Sequence, residues 1–101
     1  LMYDLGQGVV QDYKEAAKWY RKSAEQGLAA AQFALGAMYA NGDGVIQDNV
    51  YAHMWFNIAA SSGHKNAVTN RDIAAKNMMA ADISKAQGLA RACVAKKYKG
   101  C

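Results

Sequence analysis

The side chains here that could do chemistry are two cysteines, two histidines and a set of aspartates, and their spacing decides which chemistry is open to them. Nucleophilic catalysis by Cys93 or Cys101 would call for a histidine placed to take the thiol proton, and neither His53 nor His64 is near them in sequence. A structural metal site needs four ligands in tetrahedral array, which two cysteines without neighbouring histidines do not supply. The histidines read as ordinary surface or half-buried residues. Asp4, Asp12, Asp43 and Asp48 recur at turns and helix caps, a structural task that leaves them no acid–base role. Gly42-Asp43-Gly44 lacks the longer glycine spacing and following lysine of a phosphate loop, and the alternating acids and final glutamate of a calcium loop. Trp19 and Trp55 could stack on a ligand, but they occupy matching repeat positions and read as core residues. The sequence therefore points to no enzyme, no metal site and no cofactor.

Whatever these residues do, helices must position them. The 101 residues are 52% hydrophobic and 20% charged, a balance that argues against disorder. Proline is absent and alanine abundant, which favours long uninterrupted helices over sheets. The net charge of +4 is mild, whereas nucleic-acid binding needs basic groups gathered on one face. The clearest basic cluster, Lys96, Lys97 and Lys99, is expected in the last turn of the last helix, where cations complement the helix dipole. No apolar run approaches the roughly 20 residues that cross a membrane. No signal peptide is seen, but the chain starts at Leu1 in what reads as the middle of a structural unit. It is expected to be a piece from which a targeting sequence and earlier repeats are missing.

The dominant signal is internal repetition at an offset of 36, which carries Met2-Tyr3 onto Met38-Tyr39. The same offset carries Gly6, Gly8 and Val9 onto Gly42, Gly44 and Val45, and Gln11-Asp12 onto Gln47-Asp48. Further along it carries Ala16 onto Ala52, Trp19 onto Trp55, Ala24 onto Ala60 and Gly27 onto Gly63. Each unit reads as two helices. In the first, Ala31, Leu35 and Tyr39 recur every four residues on one face, beside Gly36, which lets a neighbouring helix come close. Asn41-Gly42-Asp43-Gly44 stops that helix, and Asp48 caps the second, as Asp12 does in the earlier copy, where Glu15 completes a capping box. The second helix buries Ala52, Trp55, Phe56, Ala59 and Ala60 and ends at Gly63. Such a pair is too small to bury its own face, so pairs must stack. The expected architecture is an all-α, right-handed solenoid of antiparallel helix pairs.

The pattern Ala31-x3-Leu35-Gly36-x2-Tyr39-x2-Gly42-x-Gly44-Val45-x2-Asp48-x3-Ala52-x2-Trp55-x3-Ala59-Ala60-x2-Gly63 closely resembles the Sel-one-like repeat (SLR) family, a relative of the tetratricopeptide repeat. On that reading residues 1–27 are a partial first repeat and 28–63 a complete one. Residues 64–101 depart from the pattern: no Gly-x-Gly turn follows the helix that runs to about Asn77, and a break near Met78-Met79 leads into a long final helix. This resembles the divergent ending of bacterial members and implies a C-terminal capping helix pair. Gly88, which costs its helix about 1 kcal/mol relative to alanine, is expected to permit close packing.

For Cys93 and Cys101 a disulfide is the favoured reading. Eight residues of helix span about 12 Å, too far for a bridge, so Tyr98-Lys99-Gly100 must turn and bring Cys101 back. Closing so short a loop contributes roughly 2 kcal/mol in the chain-entropy model. Cysteine-rich secreted members of the family imply the same pairing by resemblance. An even number of cysteines on a small scaffold points to the periplasm or another extracytoplasmic site, with the cytoplasm as the alternative.

In a stacked solenoid the first helix of each unit lines the inner wall. Helical phase places Phe33, Ala37, Ala40 and Asn41 there, with Thr69, Ile73, Lys76 and Asn77 on one side and Leu1, Asp4 and Leu5 on the other. Such a groove suits a peptide or helix from another protein, although Phe33 and Ile73 could instead pack between units. The family resemblance implies adaptors in signalling, envelope assembly and host contact. The alternative is a structural end cap of a longer solenoid, with the binding groove on other repeats. A hydrolase acting on cell-wall material would need a buried polar cluster that the sequence does not show. The partner is thus expected to be a protein or peptide, not nucleic acid, with no membrane insertion and with an open N-terminal face around Leu1 and Met2 that could self-associate.

Overall fold

The computed structural model describes residues 12–101, and all of their regular structure is helical. Five helices follow one another: α1 (Tyr13–Glu25), α2 (Ala29–Asn41), α3 (Asn49–Ser61), α4 (Lys65–Ala75) and α5 (Ala80–Ala95). The first-copy turn at Gly6 and Gly8, and the wall positions Leu1, Asp4 and Leu5, lie outside the described residues.

Local sequence accounts for most helix ends. The Asp12 carboxylate accepts from the Glu15 N–H at 3.0 Å, and the Asp48 carboxylate accepts from Val50 and Tyr51 at 2.9 and 3.1 Å. One cap went unforeseen. His64 starts α4, its Nδ1 accepting from the Ala67 N–H at 3.2 Å. At their far ends α1 and α3 close in the same way, with the glycine just past the cap in the left-handed region. Gly27 N–H bonds Ala24 O and Leu28 N–H bonds Ser23 O; Gly63 and His64 do likewise to Ala60 and Ala59.

α5 ends with the same pair of bonds but without glycine. Lys97 N–H reaches Val94 O and Tyr98 N–H reaches Cys93 O, with φ of 54° at Lys97 and 68° at Tyr98. Left-handed backbone costs an ordinary residue about 1–2 kcal/mol. The three lysines expected in the last helical turn thus fall at or beyond the helix end, with Lys96 as the cap residue.

α3 is the hub, packed closely by α2, α4 and α5, while α1 packs on α2. The close contact of α5 is with α3 and not with its sequence neighbour α4. The main core gathers Leu35, Met54, Trp55 and Ile58 with the small residues Ala24, Ala31, Ala90 and Cys93. Trp55 is wholly buried there, whereas Trp19, expected in the core by its repeat position, is 54% exposed. Gly36 performs the task expected of it: a Cβ there would lie 2.7 Å from the Phe56 ring and 3.2 Å from the Ala52 carbonyl oxygen, so α2 and α3 meet at a spacing that only glycine permits. Gly88 does not. A Cβ there would meet only the Arg91 guanidinium at 3.8 Å, so no close packing explains it.

Gly44 is doubly constrained. Its φ of 74° favours glycine, and a Cβ would collide with the Tyr13 carbonyl group at the start of α1. Val45 beside it packs against Ala16, Ala17 and Met38, which fastens the α2–α3 turn to the preceding unit.

Candidate protein-binding groove

α2 and α4, the first helices of successive units, both rest on α3 and leave a cleft of about 260 Å³ between them. Ala37 and Ala40 of α2, Phe56 of α3, and Ile73 and Ala74 of α4 form its apolar surface. The alanines leave it open, and Ile73 stands 52% exposed within it. Asn41, Asn49, Asn70 and Asn77 supply the polar groups, and no ionisable side chain lines it. Asn49 already accepts from Gln47 Nε2 at 2.9 Å. Among the described residues, the side-chain amides of Asn41, Asn70 and Asn77 have no hydrogen-bond partner.

Of the wall positions named from the sequence, eight fall among the described residues, and five of these line one cleft: Ala37, Ala40, Asn41, Ile73 and Asn77. Phe33 does not line it. Its ring stacks on His64 at 4.4 Å and tilts against Phe56 at 5.6 Å, which makes it a packing residue between units. Thr69 on α4 and Lys76, the cap residue just after it, are exposed but do not line the cleft. Asn70 and Ala74 were missed although a signal existed: with Ile73 and Asn77 they form the i, i+3, i+4, i+7 stripe of one helical face. Asn49 and Phe56 come from the second helix of the unit, which wall reasoning based on first helices could not reach.

The other chemistry-bearing side chains lie outside the cleft. Cys93 and Cys101 form a disulfide with their Cα atoms 5.7 Å apart. His53 is buried more deeply than expected, and its Nδ1 has no partner. Burial, seconded by the positive charge of Arg71 and opposed by Asp72, holds its pKa below the ordinary histidine value of 6.5. The described residues contain no group of three or more His, Cys, Asp or Glu arranged to hold a metal ion, and no helix long and apolar enough to cross a membrane.

Residues 1–28 and 29–64 each match the Sel1 repeat. Among solved structures the chain is similar to c5321, described as a protective antigen present in uropathogenic Escherichia coli strains and displaying an SLR fold. The two share 39% identity at a TM-score of 0.88 over 96% of this chain. The match covers 21% of that protein, so this chain spans about a fifth of its length. No curated protein gives a significant match. Two consecutive repeat matches that cover more than half of the residues, together with a close and nearly full-length structural likeness, show that the chain belongs to the Sel1 repeat family.

Proposed function

We propose that this chain is an adaptor that binds a peptide or helix of another protein in the cleft between α2 and α4. Sel1 repeat solenoids are non-catalytic scaffolds that typically mediate protein–protein interaction. The observation that carries the reading is the pairing of three unpartnered asparagine amides with an apolar floor in that cleft. Each amide offers both a donor and an acceptor, the two groups that a peptide backbone presents at every residue. The floor takes an apolar side chain. A charged one would be desolvated there without a counter-charge, so the bound segment is neutral where it meets the floor. The disulfide fits an oxidising compartment, and we place the protein in the periplasm or among secreted proteins on that ground.

A second reading is that α4 and α5 cap a longer solenoid whose groove lies on other repeats. It is favoured by α5 covering α3 beyond the last residue matched to the repeat. A pull-down from extracytoplasmic extract separates the two. The parent chain should capture a partner that a folded Ile73→Ala, Asn77→Ala variant loses and a Thr69→Ala, Lys76→Ala variant retains. Equal capture by all three would move the site out of the cleft, and capture by none would favour the cap.

A further inference from the structure

Residues 96–101 form a hook that folds back from the end of α5 toward Cys93. Within it, Lys97 and Tyr98 take up left-handed backbone in succession, where α1 and α3 have glycine at the corresponding position past the cap. Two side-chain-bearing residues in that region oppose the conformation, so local preference does not hold the hook in place. The two backbone bonds that close α5 are joined in holding it by the Cys93–Cys101 bond and by the packing of Tyr98 and Cys101 against the main core around Trp55. The Tyr98 ring also reaches the turn between α1 and α2. A Cβ on Gly27 would lie 3.3 Å from its Cε2 atom, so the ring lies flush against the backbone of that turn. The last segment of the chain thereby braces the junction between the first two helices described. Cys93 is buried, but Cys101 keeps partial exposure, which gives a thiolate an approach to its sulfur.

We propose that the Cys93–Cys101 bond is a redox latch: intact, it holds Tyr98 as a brace on the α1–α2 turn, and its reduction by a dithiol releases that turn while the rest of the solenoid stays folded. In the reaction a thiolate of the dithiol attacks Cys101 Sγ, the S–S bond breaks and Cys93 leaves as a thiolate that takes up a proton. The second thiol of the reductant then displaces Cys101 from the mixed disulfide. The dithiol ends as its own disulfide, having supplied two electrons, and both cysteines end as thiols. The left-handed pair then relaxes and Tyr98 leaves Gly27.

Amide hydrogen exchange on the oxidised protein, the dithiol-reduced protein and Cys101→Ser tests this. The amides of Tyr98, Gly27 and Leu28, which close the ends of α5 and α1, should exchange at least about tenfold faster on reduction and in Cys101→Ser, while residues 69–73 of α4 keep their protection. Unchanged Gly27 and Leu28 would overturn the proposal, because the hook would then hold itself or reach nothing. Equal loss of protection in α4 would also overturn it, by making the bond a staple of the whole fold. Tyr98→Ala with the bond intact should speed Gly27 and Leu28 by a similar factor, and no change there would remove Tyr98 as the brace.

Discussion

Trp19 on α1 and Trp55 on α3 hold the same position in two copies of one repeat, flanked by matching alanines and followed by matching glycines. Trp55 is wholly buried in the main core, to which α5 contributes Ala90 and Cys93. Trp19 stands more than half exposed, with the Lys22 ammonium 5.5 Å from its ring centroid. No helix among the described residues packs closely on α1 apart from α2. A repeat specifies which side chain is offered for burial. Whether it is buried depends on which helices pack against it: around Trp55 the long α5, meeting α3 instead of α4, adds Ala90 and Cys93, and no described helix does the same for Trp19.

The largest expected effect lies in that pair. Trp55→Ala should lower unfolding free energy by about 3–5 kcal/mol, and Trp19→Ala by less than about 1 kcal/mol, both read by chemical denaturation. Equal losses would mean that the first copy is as well covered as the second. Next come two helical glycines in opposite surroundings. Gly36→Ala should cost about 1–3 kcal/mol, because the Phe56 ring and the Ala52 carbonyl leave no room for a methyl group. Gly88→Ala should instead stabilise by up to about 1 kcal/mol, since it meets only a mobile guanidinium and gains helix propensity. A loss at Gly88 would reveal a contact that the present packing lacks.

The smallest effect sharpens the comparison through pH. His53 in the second copy stands where the first has Ala17, and both are buried. Because its folded pKa lies below 6.5, the fold prefers neutral imidazole. The unfolded chain binds the proton first as pH falls, so stability is complete above about 6.5 and declines below it, through the depressed folded value. Thermal midpoints measured from about pH 7.5 down to about pH 5 should fall less steeply for His53→Ala than for the parent. Parallel curves would show that His53 does not contribute to acid sensitivity.

Features set within a few residues were legible in the sequence: the caps at Asp12 and Asp48, the stops at Gly42 and Gly63, and the close approach at Gly36. Each follows from local backbone chemistry that the offset of 36 repeats. The pairing of Cys93 with Cys101 was legible too, because a helix cannot bring them together and a turn must. What eluded the sequence depends on distant neighbours. Repeat position puts Trp19 in the core by analogy with Trp55, yet among the described residues only α2 packs closely on its helix. His64 gave no sign of capping α4, because histidine is a rare cap and its ring is held by Phe33 from another unit. Of the wall positions that helical phase names on α2, Ala37, Ala40 and Asn41 line the cleft and Phe33 does not. On the other side Ile73 and Asn77 line it with Asn70 and Ala74, while Thr69 and Lys76 stand outside it, because helical phase read from one sequence does not fix how far α4 is rotated on α3.

The meeting of Gly44 with the first residues of α1 bears on how the solenoid deforms. There backbone touches backbone, with no side chain between to change rotamer and absorb displacement. A load along the stack, such as the pull of a bound partner, therefore finds a hard pivot at this turn and a more compliant seam at the alanine-lined cleft. The array should flex like a row of hinged plates, opening and closing on its inner face while its repeat-to-repeat pitch stays constant.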